Sequence, residues 1–106
     1  MEKYIQIHTT TDRKDTAENI ARVLLEGRLA ACVQIIGPIT SLYWWEGKIE
    51  TTEEWLCLIK SKKGLYRQVE ETVRAHHNYK VPEIIAVEIT DGSYDYLDWL
   101  KKEVKA

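Results

Sequence analysis

The side chains best suited to chemistry in this chain of 106 residues are its three histidines. His8 lies near the amino end, and His76 and His77 are adjacent in the second half of the sequence. Imidazole is the side chain that binds Cu(II), Ni(II) and Zn(II) most readily at neutral pH. The sequence therefore predicts a divalent-metal site built from these three residues, with Cu(II) or another divalent metal as its cofactor.

Each histidine also has an ordinary structural interpretation. His76 continues the apolar stripe of a predicted helix, so it suits a core or interface position as well as a metal. His77 lies about 100° further around that helix, and both side chains reach one ion only if the helix has already ended. His8 can pair with a neighbour on its strand. Weak copper binding at separate exposed imidazoles is the competing hypothesis. Possible oxygen ligands or supporting partners are Asp12, Glu83 and Glu88.

The apolar pattern predicts the elements that must position these histidines. Alternation at every second residue indicates strands, and spacings of three and four residues indicate helices. Strands are predicted at residues 3–9, at 29–45 with a break at Gly37-Pro38, at 49–59 and at 83–89. Helices are predicted from the polar caps at residues 9–12 to about Gly27, at 65–76 and at 94–104.

This order of elements is β-α-β-β-α-β followed by a terminal helix. It predicts an α+β, ferredoxin-like fold in one domain of residues 1–106, with an antiparallel sheet and both main helices on one face. In such a sheet the fourth strand runs beside the first. We therefore expect His8 to lie near the segment that enters strand four, which follows His76 and His77.

Three aromatic residues in a row precede a Glu46-Gly47 turn. Because strand neighbours point to opposite faces, a domain of this size buries at most one or two of the three. The third strand is apolar on both faces, although the two main helices cover only one. These features predict self-association through a long hairpin between the second and third strands. The side chains assigned to that interface are Tyr43, Trp44, Trp45 and Trp55.

Composition argues against several classes of function. The net charge of −2 argues against a nucleic-acid partner, because such proteins carry a basic face. Apolar runs fall far short of the roughly 20 residues that a membrane span needs. The amino end enters a strand pattern directly, so we expect a cytoplasmic protein. Cys32 and Cys57 lie in apolar stretches and are predicted to be buried thiols. No catalytic motif is present, and we expect no enzyme.

Blocks at residues 28–33, 41–49, 76–84 and 96–99, together with Glu54 and Lys60, stand in order along nearly the whole chain. They resemble the signature blocks of the CutA divalent-cation tolerance family. The resemblance implies a ferredoxin-like homotrimer whose long hairpins pair across subunits, similar to the trimer of PII-type signalling proteins. It also implies metal binding and a link to the tolerance of copper and other divalent cations, without an established reaction.

The resemblance further implies where a metal would bind. The family's site is usually assigned to a cysteine or equivalent at the end of the first strand and to the histidine pair, and His8 stands at the first of those positions. An imidazole in place of a thiolate favours Cu(II) or Zn(II) over Cu(I). Asn78 stands where the family usually has proline, and we expect that change to alter the loop more than the ligands.

Two other functions stay open from the sequence. One is a PII-like effector-binding or protein-interaction module with no specific metal role, in which clefts between subunits bind an anion or a partner segment. The other is a purely structural trimer. The residues assigned to the cleft are Tyr43, Lys60, Tyr79 and Glu83.

Overall fold

The computed structural model describes residues 2–106, and the chain order of its elements matches the predicted one. The β-branched and aromatic runs form strands, and the segments with helical apolar spacing form helices. The strands are β1 (Tyr4–Thr11), β2 (Cys32–Trp45), β3 (Lys48–Lys62) and β4 (Ile85–Ile89). The helices are α1 (Lys14–Glu26), α2 (Tyr66–His76) and α3 (Tyr94–Glu103), with one 3-10 turn at Lys63–Leu65.

The strands of the described chain form one antiparallel sheet in the order β2-β3-β1-β4. β1 lies between β3 and β4, so that His8 is paired with Leu58 on one side and with Ile85 on the other. This arrangement confirms the predicted α+β, ferredoxin-like fold. It also confirms that His8 lies beside the start of β4.

The core lies between the sheet and the two main helices. Alternate strand residues point toward α1 and α2, and the apolar stripes of those helices pack onto them. Residues of this core with no exposed surface include Ile7, Ile20, Leu24, Ile59, Val69 and Val73. The opposite face, which we call the open face, is the other side of the sheet and carries alternate residues of all four strands.

The third helix follows a capped start and closes one end of the molecule. The backbone N–H of Tyr96 donates to Ser93 Oγ at 3.3 Å, so Ser93 caps the N-terminus of the helix. Leu100 is fully buried. Beyond the helix, the N–H of Lys105 donates to the carbonyl of Arg28, whose guanidinium pairs with Glu103 at 2.7 Å. These contacts fasten the carboxyl end to the loop between α1 and β2.

The hairpin of β2 and β3 makes the molecule long, 44 Å by 25 Å by 22 Å. Its two-residue turn places Glu46 at φ +49° and Gly47 at φ +78°, the combination that a type I′ turn requires. The register shifts between Ile36 and Ile39, as predicted for the Gly37-Pro38 break. A Cβ at Gly37 would lie 2.2 Å from the ring of Trp55, so only glycine fits beneath that ring.

Several predicted boundaries were wrong. Residues 9–11 continue β1 opposite β3 instead of capping a helix, since each β-branched threonine finds a partner there. The residue that precedes α1 is Arg13, and no side chain caps its N-terminus. β2 begins at Cys32 instead of residue 29, and β4 begins at Ile85 instead of Glu83.

Within residues 2–106, none of the helices has the length and apolar character that crossing a membrane requires.

Candidate functional site: three histidines and a cavity at the hairpin base

His77 directly follows α2, and both of its ring nitrogens are hydrogen-bonded. Nδ1 accepts from the backbone N–H of Tyr79 at 3.0 Å, so the ring proton lies on Nε2, which donates to the carbonyl of Thr10 at 2.8 Å. Partial burial lowers the pKa of His77. The neutral imidazole thus fastens residues 77–79 to the end of β1.

His76 is the exposed member of the pair. Its Nδ1 donates to the carbonyl of Thr72 one turn earlier in α2, at 2.9 Å. In this tautomer Nε2 carries a lone pair, and no described residue bonds to it. Among the three histidines, His76 therefore has the nitrogen most accessible to a metal ion.

His8 lies on the open face, half-buried. The side-chain amide of Gln6, two residues earlier on the same strand face, donates to His8 Nε2 at 2.9 Å. This hydrogen bond occupies Nε2 of His8. It agrees with the alternative interpretation that His8 pairs with a neighbour on its own strand.

The fold brings the three histidines toward one region without joining them. Within residues 2–106 of a single chain, no group of three or more His, Cys, Asp or Glu side chains is placed to hold a metal ion. A shared site for His8, His76 and His77 would require side-chain rearrangement or ligands from a second copy. The three-histidine site stays a prediction.

The two cysteines are free. Burial raises the pKa of the Cys57 thiol to about 11, so this residue stays protonated at neutral pH and is a poor metal ligand. Cys32 is half-buried on β2.

A cavity of about 780 Å³ lies at the base of the hairpin, a volume in the range of small-molecule sites. The hairpin segment 41–45 forms one wall and the loop segment 78–83 the other, with Thr10 and Glu54 between them. Three of the four residues assigned to the cleft between subunits, Tyr43, Tyr79 and Glu83, line this cavity of the single chain, and the cleft between subunits stays a prediction. The fourth, Lys60, does not line the cavity and donates instead to the side-chain oxygen of Gln34.

The most buried carboxylate that lines the cavity belongs to Glu54, which the sequence analysis named only as part of the family resemblance. Glu54 has only 4% of its surface exposed. The hydroxyl of Tyr79 donates to Glu54 Oε2 at 2.6 Å, a charge-assisted hydrogen bond. Burial, followed by this bond to Glu54, raises the pKa of the Tyr79 phenol, which stays protonated as the donor. The sequence did contain a signal for this residue. Glu53 and Glu54 are adjacent on a strand and must point to opposite faces, so that the two carboxylates have different surroundings.

Asn78 ties the loop wall to the strand beside it. Its side-chain oxygen accepts from Thr11 Oγ1 at 2.6 Å, and its nitrogen donates to Asp12 at 2.7 Å. Together with the two bonds of His77, these contacts hold residues 77–79 in place. The loop wall is thus ordered before any ligand arrives.

The predicted interface residues fall into two groups. Tyr43, Trp44 and Trp45 are exposed on the hairpin, and Trp44 keeps 72% of its surface exposed. Trp55 is half-buried, packs against its own chain's core and covers Gly37. The interface role of all four residues stays a prediction.

The fold and the cavity define a ferredoxin-like protein with a long hairpin and an apolar open face. The model of the family described as "CutA1 divalent ion tolerance protein" matches residues 5–103. The chain therefore belongs to this family, which confirms the resemblance seen in the sequence.

Curated relatives agree with this assignment. "Divalent-cation tolerance protein CutA" of Thermus thermophilus is 41% identical over 102 residues, which cover 96% of this chain and 97% of that protein. "Protein CutA 1, chloroplastic" of Oryza sativa is 41% identical over 101 residues, 95% of this chain and 57% of that protein. The chain thus spans little more than half the length of the plant relative.

Solved structures show the same fold. The crystal structure of CutA1 from Oryza sativa superposes with a TM-score of 0.94 at 40% identity, covering 97% of this chain and 94% of that one. A structure from Archaeoglobus fulgidus, titled as the periplasmic divalent cation tolerance protein CutA, gives 0.91 at 40% identity, covering 99% and 100%.

Proposed function

We propose that this chain is a trimeric divalent-cation-binding protein that acts in metal tolerance or in the response to metal ions, with Cu(II) as the candidate metal. Membership of the divalent ion tolerance family is the observation that carries the proposal. His8, His76 and His77 are the proposed ligands. The exposed Nε2 of His76 is the first point of attachment, since it requires no hydrogen bond to break.

Self-association into a homotrimer is part of the proposal. Its support is the apolar surface that one chain leaves uncovered on the hairpin and on the open face, which exceeds the scattered apolar residues of ordinary monomers. The most exposed of these side chains are Leu42, Trp44, Ile49, Ile85 and Ile36.

We propose a binding role and no catalysis, in line with the tolerance role for which relatives such as the Thermus thermophilus protein are named. We also propose residence in the cytoplasm, where the free thiols of Cys32 and Cys57 would stay reduced. Other compartments are named for the Oryza sativa relative, called chloroplastic, and for the Archaeoglobus fulgidus structure, called periplasmic.

Calorimetric titration of Cu(II) tests the metal proposal, with the mass of the oligomer measured in parallel. Replacement of His8, His76 and His77 by alanine is expected to weaken Cu(II) binding by at least about 100-fold, since loss of a group that only supports the ligands already costs about 10–100-fold. Gln68→Ala, at an exposed position of α2, serves as the matched control. Equal affinities in the native protein and the triple variant would contradict the metal site, and a monomeric mass would contradict the trimer.

A second candidate function is a PII-like effector-binding or protein-interaction module without a specific metal role. The observation that favours it is the cavity with its ordered loop wall and its buried carboxylate. A true ligand of this cavity raises the melting temperature with increasing concentration. A thermal-shift screen of metabolites tests this candidate, and a screen in which none stabilises the protein would contradict it.

A further inference from the structure

The charge of the cavity indicates the sign of its ligand. Two carboxylates line it, those of Glu54 and Glu83, against one ammonium group, that of Lys80. Lys80 and Glu83 are exposed, and water screens their charges. The buried carboxylate of Glu54 is screened least, so the wall of the cavity that it forms favours a cation.

Among residues 2–106, Glu54 has no cationic partner. No lysine, arginine or histidine among residues 2–106 forms an ion pair with this carboxylate, and its hydrogen bond comes from the neutral hydroxyl of Tyr79. A buried charge usually has a partner of opposite sign. In the described part of the chain Glu54 has no such partner, and its carboxylate lines an open cavity.

Aromatic rings supply the second half of the recognition. Tyr43, Trp45 and Tyr79 line the cavity, and the register of the hairpin places the side chains of Tyr43 and Trp45 on the same strand face as Glu54. The faces of such rings attract cations, and they surround quaternary ammonium groups in many binding sites. Glu54 and these aromatic residues line the same cavity.

A bare metal ion suits this cavity poorly. Calcium usually binds about six to eight oxygen ligands, and magnesium binds about six. Within residues 2–106, no three acidic, cysteine or histidine side chains converge to hold a metal ion. An organic cation has a diffuse charge that one carboxylate and several ring faces satisfy. The cavity is therefore matched to an organic cation.

We propose that the cavity at the hairpin base binds a small organic cation, an ammonium or guanidinium compound, whose charged group contacts Glu54 and packs against the rings of Tyr79 and the hairpin. The proposal rests on the second candidate function above, since it names the class of effector for that same cavity. It is independent of the three-histidine metal site.

Binding of defined probes to the native oligomer tests the proposal. Choline and agmatine supply an ammonium and a guanidinium group, 3,3-dimethylbutanol is the neutral counterpart of choline, and citrate is the anionic probe. We expect choline or agmatine to bind at least about tenfold more tightly than the neutral alcohol in calorimetry. Weaker or equal binding of both cations, or no binding, would overturn the proposal without the need for any variant.

A pair of variants on β3 locates the site. Glu54→Gln keeps the shape of the side chain and removes its charge, and we expect it to weaken binding of the cation by at least about tenfold. Glu53→Gln makes the same change at the adjacent exposed residue outside the cavity, and we expect no effect. Equal losses in both variants, or none in Glu54→Gln, would overturn the assignment.

The probes also separate this proposal from the function on which it rests. Citrate binding that exceeds binding of both cations would support an effector module and overturn the organic cation. No binding of any probe or screened metabolite would overturn both.

Discussion

On the face of the sheet that α1 and α2 cover, Ile7 has no exposed surface, whereas on the open face Ile85 keeps 50% of its surface exposed. Ile7 and Ile85 are nearly opposite one another on the neighbouring strands β1 and β4. Burial of an isoleucine side chain is worth about 1.5–3 kcal/mol. Burial of apolar side chains on the helix-covered face thus stabilises the single chain. On the open face, comparable apolar side chains stay exposed to water in the single chain.

The two faces also treat polar groups differently. Beneath the helices, the hydroxyl of Ser61 donates to the carbonyl of Leu29 at 2.6 Å, a neutral bond sealed in the core. Toward the hairpin base, Glu54 keeps a charge at the edge of a cavity. A sheet with one closed and one open face is stable enough to fold and still has surface for partners and ligands.

The largest expected effect comes from the hairpin. If Trp44 and Trp45 are buried between subunits, replacing both by alanine lowers the stability of the oligomer by about 3–5 kcal/mol for each ring, since large aromatic truncations in buried settings cost this much. Light scattering and denaturant unfolding at several protein concentrations measure the change. Tyr94→Ala, at an exposed aromatic residue that starts α3, is the control and should have little effect. Unchanged mass and stability in the double variant would show that the hairpin is free in solution.

The next largest effect is expected from a pair of variants that compares the helix-covered face of the sheet with the open face. Ile7→Ala should lower the free energy of unfolding by about 2–5 kcal/mol, because it leaves a cavity in a closed core. Ile85→Ala should have a smaller effect that grows as protein concentration rises, since in the proposed trimer a partner subunit would cover that residue. Chemical denaturation over a concentration series measures both. Equal, concentration-independent losses would mean that the open face is covered within a single chain.

The closed face was predictable because local periodicity specifies it. The apolar spacing of α1, with Ala17, Ile20 and Leu24 on one side, requires only that some sheet lie beneath it. Ser93 caps α3 by accepting a hydrogen bond from the backbone N–H of Tyr96, only three residues later in the sequence. Such features depend on short stretches of chain, which a single sequence displays.

The candidate site was less predictable because its contacts join distant parts of the chain. Tyr79 and Glu54 are 25 residues apart, and His77 and Thr10 are 67 apart. The spacing of residues does not reveal that His77 uses both ring nitrogens within its own chain. For the same reason Thr11 was placed in a cap, although it extends β1 and donates to Asn78.

A smaller effect is expected inside the cavity. Tyr79→Phe removes the hydroxyl that donates to Glu54 and should lower stability by about 1.5–3 kcal/mol, the value of hydrogen bonds to charged groups. Tyr43→Phe is the matched control, since its hydroxyl bonds to Thr52 Oγ1 at 2.8 Å in an exposed setting and its loss should matter little. Urea unfolding measures both. A negligible change in Tyr79→Phe would mean that water replaces the lost donor and that Glu54 is more accessible than its 4% exposure indicates.

The smallest expected effect is at the hairpin turn, where Gly47 has φ +78° and no atom of the described chain lies within 4 Å of an added Cβ. Within a single chain, Gly47→Ala changes backbone strain alone, so we expect a loss of about 1–2 kcal/mol, the penalty of the left-handed conformation. Gly64→Ala is the control, because its Cβ also meets open space and its φ is not positive. Urea unfolding at low and high protein concentration measures both variants. A loss in Gly47→Ala that exceeds backbone strain and grows with concentration would show that another copy packs against the turn. A loss of stability that does not depend on protein concentration would show that the turn itself makes no contact with another copy.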